Sequence, residues 1–161
     1  MTKRALVTGA GKRLGRAMAL ALAEDVFDVA VHYASSKAAA DEVVAQIRAS
    51  GRRAEARGAD LLKEDETVPL VGNAAEALGG PLHLLVINAS IFEHDDLSSA
   101  TRTSWDRHME SNLRAPFVLT QELAAQMPPA EIDARGEPLA HGLVVNMIDQ
   151  RVRKLTPEFM T

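Results

Sequence analysis

Thr8-Gly9-Ala10-Gly11-Lys12-Arg13-Leu14-Gly15 sets small residues beside two adjacent cations near the start of the chain. Glycine lets a ligand approach the backbone closely, and a helix beginning just beyond offers unpaired N–H groups and a partial positive charge. That combination suits a pyrophosphate. The stretch is not a P-loop, which would end in Gly-Lys-Ser or Gly-Lys-Thr. An ordinary tight turn is the alternative, but Lys12 and Arg13 stand where a helix start disfavours cations, which argues for an anionic ligand.

A second candidate is Asn112, four residues before Pro116 in a long helical pattern. Proline has no N–H for the carbonyl four residues back, so the helix should kink and leave the Asn112 carbonyl able to hold a water. Asp149 closes the last apolar run, where a carboxylate could orient a substrate or assist its protonation. His94, Asp95 and Asp96 are consecutive in a loop and lack the spacing of a metal site, so no metal is expected.

These groups need a scaffold. Residues 4–8 form an apolar run that ends at Gly9, and Leu14, Ala17, Met18, Ala21 and Leu22 follow at helical spacing, which reads strand, turn, helix. The unit repeats with a strand over 27–33 and a helix carrying Ala40, Val43, Val44 and Ile47. It repeats again with a strand over 54–59 and a helix carrying Leu70, Val71, Ala74, Ala77 and Leu78, closed by Gly79-Gly80-Pro81. The run 82–88 (LHLLVIN) is almost wholly apolar, as a strand covered on both faces must be. A helix from about Thr103 to Gln126 and a strand over 143–148 complete the pattern. Alternating strands and helices of this kind predict an α/β fold with a doubly wound parallel sheet in a single domain over 1–161.

The composition narrows the class. Of 161 residues, 47% are hydrophobic and 25% charged, and the net charge of -4 is spread along the chain. No basic stripe points to nucleic acid or to an anionic membrane surface. Cysteine is absent, which removes disulfides and thiolate chemistry. No apolar run reaches the roughly 20 residues of a membrane helix, and none resembles a signal segment, so a cytoplasmic protein is expected.

Taken together, TGAGKRLG, Asp60-Leu61, Asn88-Ala89-Ser90, Asn112 and VVNMID resemble the short-chain dehydrogenase/reductase superfamily over the whole chain. The Arg in the glycine loop, the Asn-Ala-Ser sequence and the Asp after strand five resemble its pteridine and dihydrofolate reductase branch. The resemblance implies a Rossmann-type sheet of strand order 3-2-1-4-5 and a cofactor contacted by Gly9, Lys12, Arg13, Leu14 and Gly15. Strand two ends His32-Tyr33-Ala34-Ser35-Ser36 without the carboxylate that would accept from the 2′-hydroxyl of NAD. With Lys12 and Arg13 placed near that ribose in related enzymes, and with hydroxyls at Ser35 and Ser36, NADP(H) is the expected cofactor. Asp60 and Leu61 would meet the adenine, and the backbone of Asn88, Ala89 and Ser90 would underlie the ribose and nicotinamide half. Bland alternatives stay open: Asp60 and Asn88 could simply satisfy turn backbone.

The resemblance further implies a proton relay headed by Asn112 and a substrate-orienting Asp149. The family's Tyr would fall one position beyond Thr161, so the Tyr-x-x-x-Lys pair and the C-terminal strands and helices are expected to be missing from these residues. Strand five is then expected to be an exposed edge. The function implied is an NADPH-dependent reductase acting on a carbonyl or imine of a small molecule, with a pterin-like ring as one option and a homo-oligomer as the full-length state. The alternative is an inactive nucleotide-binding remnant or regulatory module.

Overall fold

Ala5-Leu6-Val7, Val29-Ala30-Val31 and Leu84 to Ile87 are all buried, as strands with helices on both faces require. The computed structural model describes residues 2–154. Strands β1 (Lys3–Val7), β2 (Phe27–Tyr33), β3 (Ala54–Gly58), β4 (Leu84–Ile87) and β5 (Leu143–Asn146) form one sheet in the order β3-β2-β1-β4-β5. Every pairing is parallel, with Val7 opposite Val31 on one side and Val86 on the other. The Rossmann-type order expected from the sequence is the one observed.

Helices α1 (Arg13–Glu24) and α2 (Lys37–Ala49) cover one face. There Val7, Val29, Val31 and Val86 pack with Ala19, Ala23, Ala40, Val43 and Ile47. A short helix α3 (Glu64–Thr67) precedes α4 (Leu70–Leu78), and α5 (Arg102–Met109) leads through a π turn (Glu110–Arg114) into α6 (Ala115–Ala125). On this second face Leu6, Ala30, Leu85 and Ile87 meet Leu70, Val71, Ala74 and Leu78 of α4 and Ala115, Leu119 and Leu123 of α6. Neighbouring residues of one strand thus serve opposite cores, the two-residue alternation of a pleated chain. Each such fully buried Val or Leu contributes about 1.5–3 kcal/mol.

The ends of α4 and α5 are finished by the chain itself. Gly79 takes the left-handed conformation (φ 78°) that stops α4, and Arg4 donates to the carbonyls of Leu78 and Gly79 at 3.0 and 3.2 Å. Thr101 caps α5 through a reciprocal pair with Ser104.

Four elements depart from expectation. Helix α3 carries no apolar stripe long enough to be read in advance. The helix expected over 103–126 is interrupted by the π turn, where the Ala115 N–H reaches back five residues to the Glu110 carbonyl. Pro116 explains it: the missing N–H breaks the regular ladder just here, and a widened turn absorbs the defect. Strands β4 and β5 are shorter than their apolar runs: Leu82 and His83 precede β4, Asn88 N–H goes to the Thr8 hydroxyl, and the Met147 N–H bond to the Ile87 carbonyl closes the β4–β5 pairing. Among the described residues β5 is the sheet edge, with Leu143 and Ile148 exposed.

Candidate functional site

The connections from β1 run to β2 on one side of the sheet, while β4 lies on the other, so a crevice opens above the carboxyl ends of β1 and β4. A cleft of about 1070 Å³ lies here, floored by the glycine loop and the ends of β4 and β5 and walled by the π turn and α6. It brings together ten of the residues singled out from sequence: Gly9, Lys12, Arg13, Leu14, Gly15, Asn88, Ala89, Ser90, Asn112 and Asp149.

The loop is built for close approach. A β-carbon on Gly15 would overlap the Gly9 carbonyl and sit 2.7 Å from Asn88 Nδ2. Gly9 has φ +62°, a left-handed conformation that favours glycine. Arg13 also has positive φ (52°), which a residue with a side chain adopts only at a cost. Helix α1 opens with no side-chain cap and no acidic residue in its first turn. Its first amide bonded back is Arg16 N–H, to the Lys12 carbonyl at 3.2 Å, so the preceding amides keep no helical partner. Lys12 and Arg13 are exposed and form no ion pair among the described residues. The mouth of α1 therefore presents two cations and a row of N–H groups, a site for phosphate oxygens.

Polar groups beneath hold this loop still. Thr8 is fully buried, and its Oγ1 accepts from the N–H groups of Asn88 and Ala89 at 2.9 and 3.0 Å. Asn88 Nδ2 donates to the carbonyls of Thr8 and Gly9 at 3.0 and 3.3 Å. Thr8 was quoted in the motif but not singled out, although a hydroxyl at the end of a buried apolar strand is the signal that could have found it.

The opposite wall is clamped in the same way. Asn112 Oδ1 accepts from Ile91 N–H at 2.9 Å and its Nδ2 donates to the Ile91 carbonyl at 2.8 Å, so the amide is committed to the loop after β4. Buried His108 accepts from Glu93 N–H at 3.1 Å and lies 2.8 Å from the Ser104 carbonyl, fixing the loop one turn further on. Asp149 accepts from Arg151 N–H at 2.8 Å, and the Arg151 guanidinium lies 4.7 Å from the Phe92 ring centre. Phe92, Phe117, Thr120, Met147 and Ile148 also line the cleft and were not expected there. Leu14, Phe92, Phe117 and Ile148 are each more than half exposed, so this wall offers apolar surface to a flat ring.

Six expected contacts lie outside the cleft lining. His32, expected among the cofactor contacts at the end of strand two, is instead buried within the sheet and does not line the cleft. Its Nδ1 accepts from Gly9 N–H and its Nε2 bonds the Ala59 carbonyl, both at 3.0 Å, and burial pushes its pKa below the usual value. Tyr33 lies over Gly58, whose added β-carbon would come within 2.9 Å of the phenol oxygen. Leu61 is packed in the core, so only its backbone could reach a ligand. Asp60 Oδ1 accepts from Leu62 N–H at 3.1 Å, the turn role held open above. Ser35 is exposed and Ser36 half-buried at the start of α2, which has no side-chain cap. They border the loop, because Gly11 packs against the Ala40 amide at the head of that helix.

No group of three or more His, Cys, Asp or Glu side chains among the described residues could hold a metal, and no described helix is long and apolar enough to cross a membrane.

The sequence profile described as short chain dehydrogenase matches residues 3–147. The 3-oxoacyl-[acyl-carrier-protein] reductase FabG of Staphylococcus epidermidis is 38% identical over 127 residues, covering 79% of this chain and 52% of that protein. The chain thus spans about half the length of the curated relatives it matches. Among solved structures, FolM alternative dihydrofolate reductase 1 from Brucella suis in complex with NADP superposes with a TM-score of 0.86 at 36% identity, covering 98% of this chain and 61% of that one. The angucycline C-6 ketoreductase LanV with bound NADP gives a TM-score of 0.85 at 31% identity, covering 98% and 59%.

Proposed function

This chain belongs to the short-chain dehydrogenase family, and on that premise we propose that it forms, as one domain over its 161 residues, the NADP(H)-holding portion of a reductase for a carbonyl or imine. The observation that carries the reading is the mouth of α1: uncapped amides, a glycine cradle and two cations, Lys12 and Arg13, that have no ion-pair partner among the described residues. The pyrophosphate would meet the amides between Gly11 and Gly15, and Lys12 and Arg13 would pair with the 2′-phosphate, aided by Ser35 and Ser36. The end of β2 supports the phosphorylated cofactor, since no carboxylate there would repel it. The structural neighbours FolM and LanV, both holding NADP, point the same way.

A bound NADPH supplies the hydride. This chain's part is to orient and to exclude water. The Asn88-Ala89-Ser90 backbone would support the nicotinamide side. Asn112, its side chain occupied by Ile91, has its main-chain carbonyl to offer a water of a proton relay. Asp149 would orient the substrate beside the apolar wall of Phe92 and Phe117. A pterin-like ring is the substrate we favour, because the cleft pairs that wall with a carboxylate able to accept from ring N–H groups. The reading takes the family's Tyr and Lys to lie outside these residues, and the whole enzyme to be a cytoplasmic homo-oligomer.

Fluorescence titration with NADPH and NADH tests the cofactor. Tighter binding of NADPH by about tenfold or more is expected from one or two charge-assisted contacts; equal affinities would overturn it.

A further inference from the structure

His32, on β2, ties the glycine loop to the end of β3. Its ring is 1% exposed. Nδ1 lies 3.0 Å from the Gly9 amide nitrogen, and Nε2 lies 3.0 Å from the Ala59 carbonyl beyond β3. Its own carbonyl accepts from Ala10 N–H at 2.8 Å. An amide nitrogen can only donate here and a carbonyl can only accept, so the partners dictate the tautomer: Nε2 carries the proton and Nδ1 is bare.

The consequence falls on Gly9. Its N–H is spent on His32 and its carbonyl faces Asn88 Nδ2 at 3.3 Å, so both polar groups of this residue point into the protein. With φ at +62°, the chain then turns: Ala10 N–H stays on the His32 carbonyl, and the loop reaches the cleft again from Lys12 to Gly15. Ligand binding is left to the segment from Gly11 to Gly15, and its aim depends on how Gly9 is held.

We propose that His32 is a positioning residue for the dinucleotide: by accepting the Gly9 N–H at Nδ1, it locks the loop in the conformation that turns the α1 amides, Lys12 and Arg13 toward the phosphates. This rests on the NADPH reading above. The bond that matters is the one to Gly9; the bond to Ala59 fixes which nitrogen is bare. A buried ring that merely filled space would make no distinction between the two nitrogens.

Two substitutions separate them. Asn at this position keeps an acceptor near Nδ1 and loses the reach to Ala59, whereas Gln keeps a donor near Nε2 and loses the acceptor. NADPH titration is run on wild type, H32N and H32Q, with thermal melting of each. The expected result is H32N within about threefold of wild type and H32Q weaker by tenfold or more, while both melt below wild type. Equal affinities for the two variants, retained or lost together, overturn the proposal. If either variant fails to fold, ¹⁵N NMR of the wild-type ring decides. A bare Nδ1 coupled to a slowly exchanging Gly9 amide supports the assignment, and a protonated Nδ1 or a fast-exchanging Gly9 amide refutes it. Failure of wild type to bind NADPH would sink the cofactor reading and leave the Gly9 contact to the NMR result.

Discussion

Helices α1 and α5 begin in opposite ways. At α5 the chain completes its own terminus: Thr101 accepts from Ser104 N–H at 3.1 Å, and Ser104 returns the bond to Thr101 N–H at 2.9 Å. At α1 nothing is completed; Lys12 stands at the cap position with no side-chain bond, and cations occupy the positive end of the helix. A terminus closed by its own residues is architecture. A terminus left open, with an unfavourable charge and a strained Arg13 beside it, holds back interactions that only a ligand can complete.

The most damaging way to test this contrast is Gly15→Ala. The added methyl would overlap backbone, so we expect NADPH affinity to fall at least a hundredfold together with a lower melting temperature, from overpacking of about 1–3 kcal/mol. Unchanged affinity would show that the cradle is not the site. Lys12→Asp should split the two properties instead. It supplies the missing cap and a favourable charge, raising stability by about 1 kcal/mol, yet it should weaken NADPH binding tenfold or more; calorimetry beside titration reads both. Arg13→Gly should likewise melt higher, because glycine accepts φ 52° without cost, while the preference for NADPH over NADH narrows. Thr101→Ala is the counterpart at the closed end. It should cost about 1 kcal/mol of stability and leave NADPH affinity unaltered.

The smallest effect is acid sensitivity. Burial lowers the His32 pKa in the folded chain, so its contribution is fully present above the ordinary value of 6.5 and declines as pH falls below it. Asp96, held at about 2 by hydrogen bonds from Ser98 and Ser99, contributes above its ordinary 3.8 and is lost only as pH approaches 2. Melting temperature should therefore begin to drop as pH falls below 6.5 in wild type, and that early limb should shrink in H32N, the remainder belonging to His83, whose pKa burial and the neighbouring Arg4 and Lys3 also lower.

Much of this was legible in residue order. The strand over 27–33 coincides with β2, and the helix expected to carry Leu70, Val71, Ala74, Ala77 and Leu78 is α4, because an uninterrupted apolar run and a Gly-Gly-Pro stop leave little freedom. The glycine loop was legible for the same reason. What could not be read was direction. His32 follows Val31 in a strand, and alternation alone puts it on the face of Ala30; nothing in residue order shows the two buried backbone partners, Gly9 N–H and the Ala59 carbonyl, that claim its ring. Leu61 is similar: its backbone lies near the loop ends, while its side chain belongs to the core. Pro116 announced a defect in its helix, but only packing decides whether a helix answers by bending or by widening.

That widened turn at Glu110–Arg114 has a consequence for how the chain tolerates change. Each helical residue advances the chain by about 100° and 1.5 Å. A π turn takes up one residue more than an α turn over the same stretch, so it absorbs that residue and leaves Phe117 and Thr120 on the cavity side of α6. A one-residue deletion within 110–114 should therefore be tolerated better than one inside α6, which would turn every later side chain by that angle.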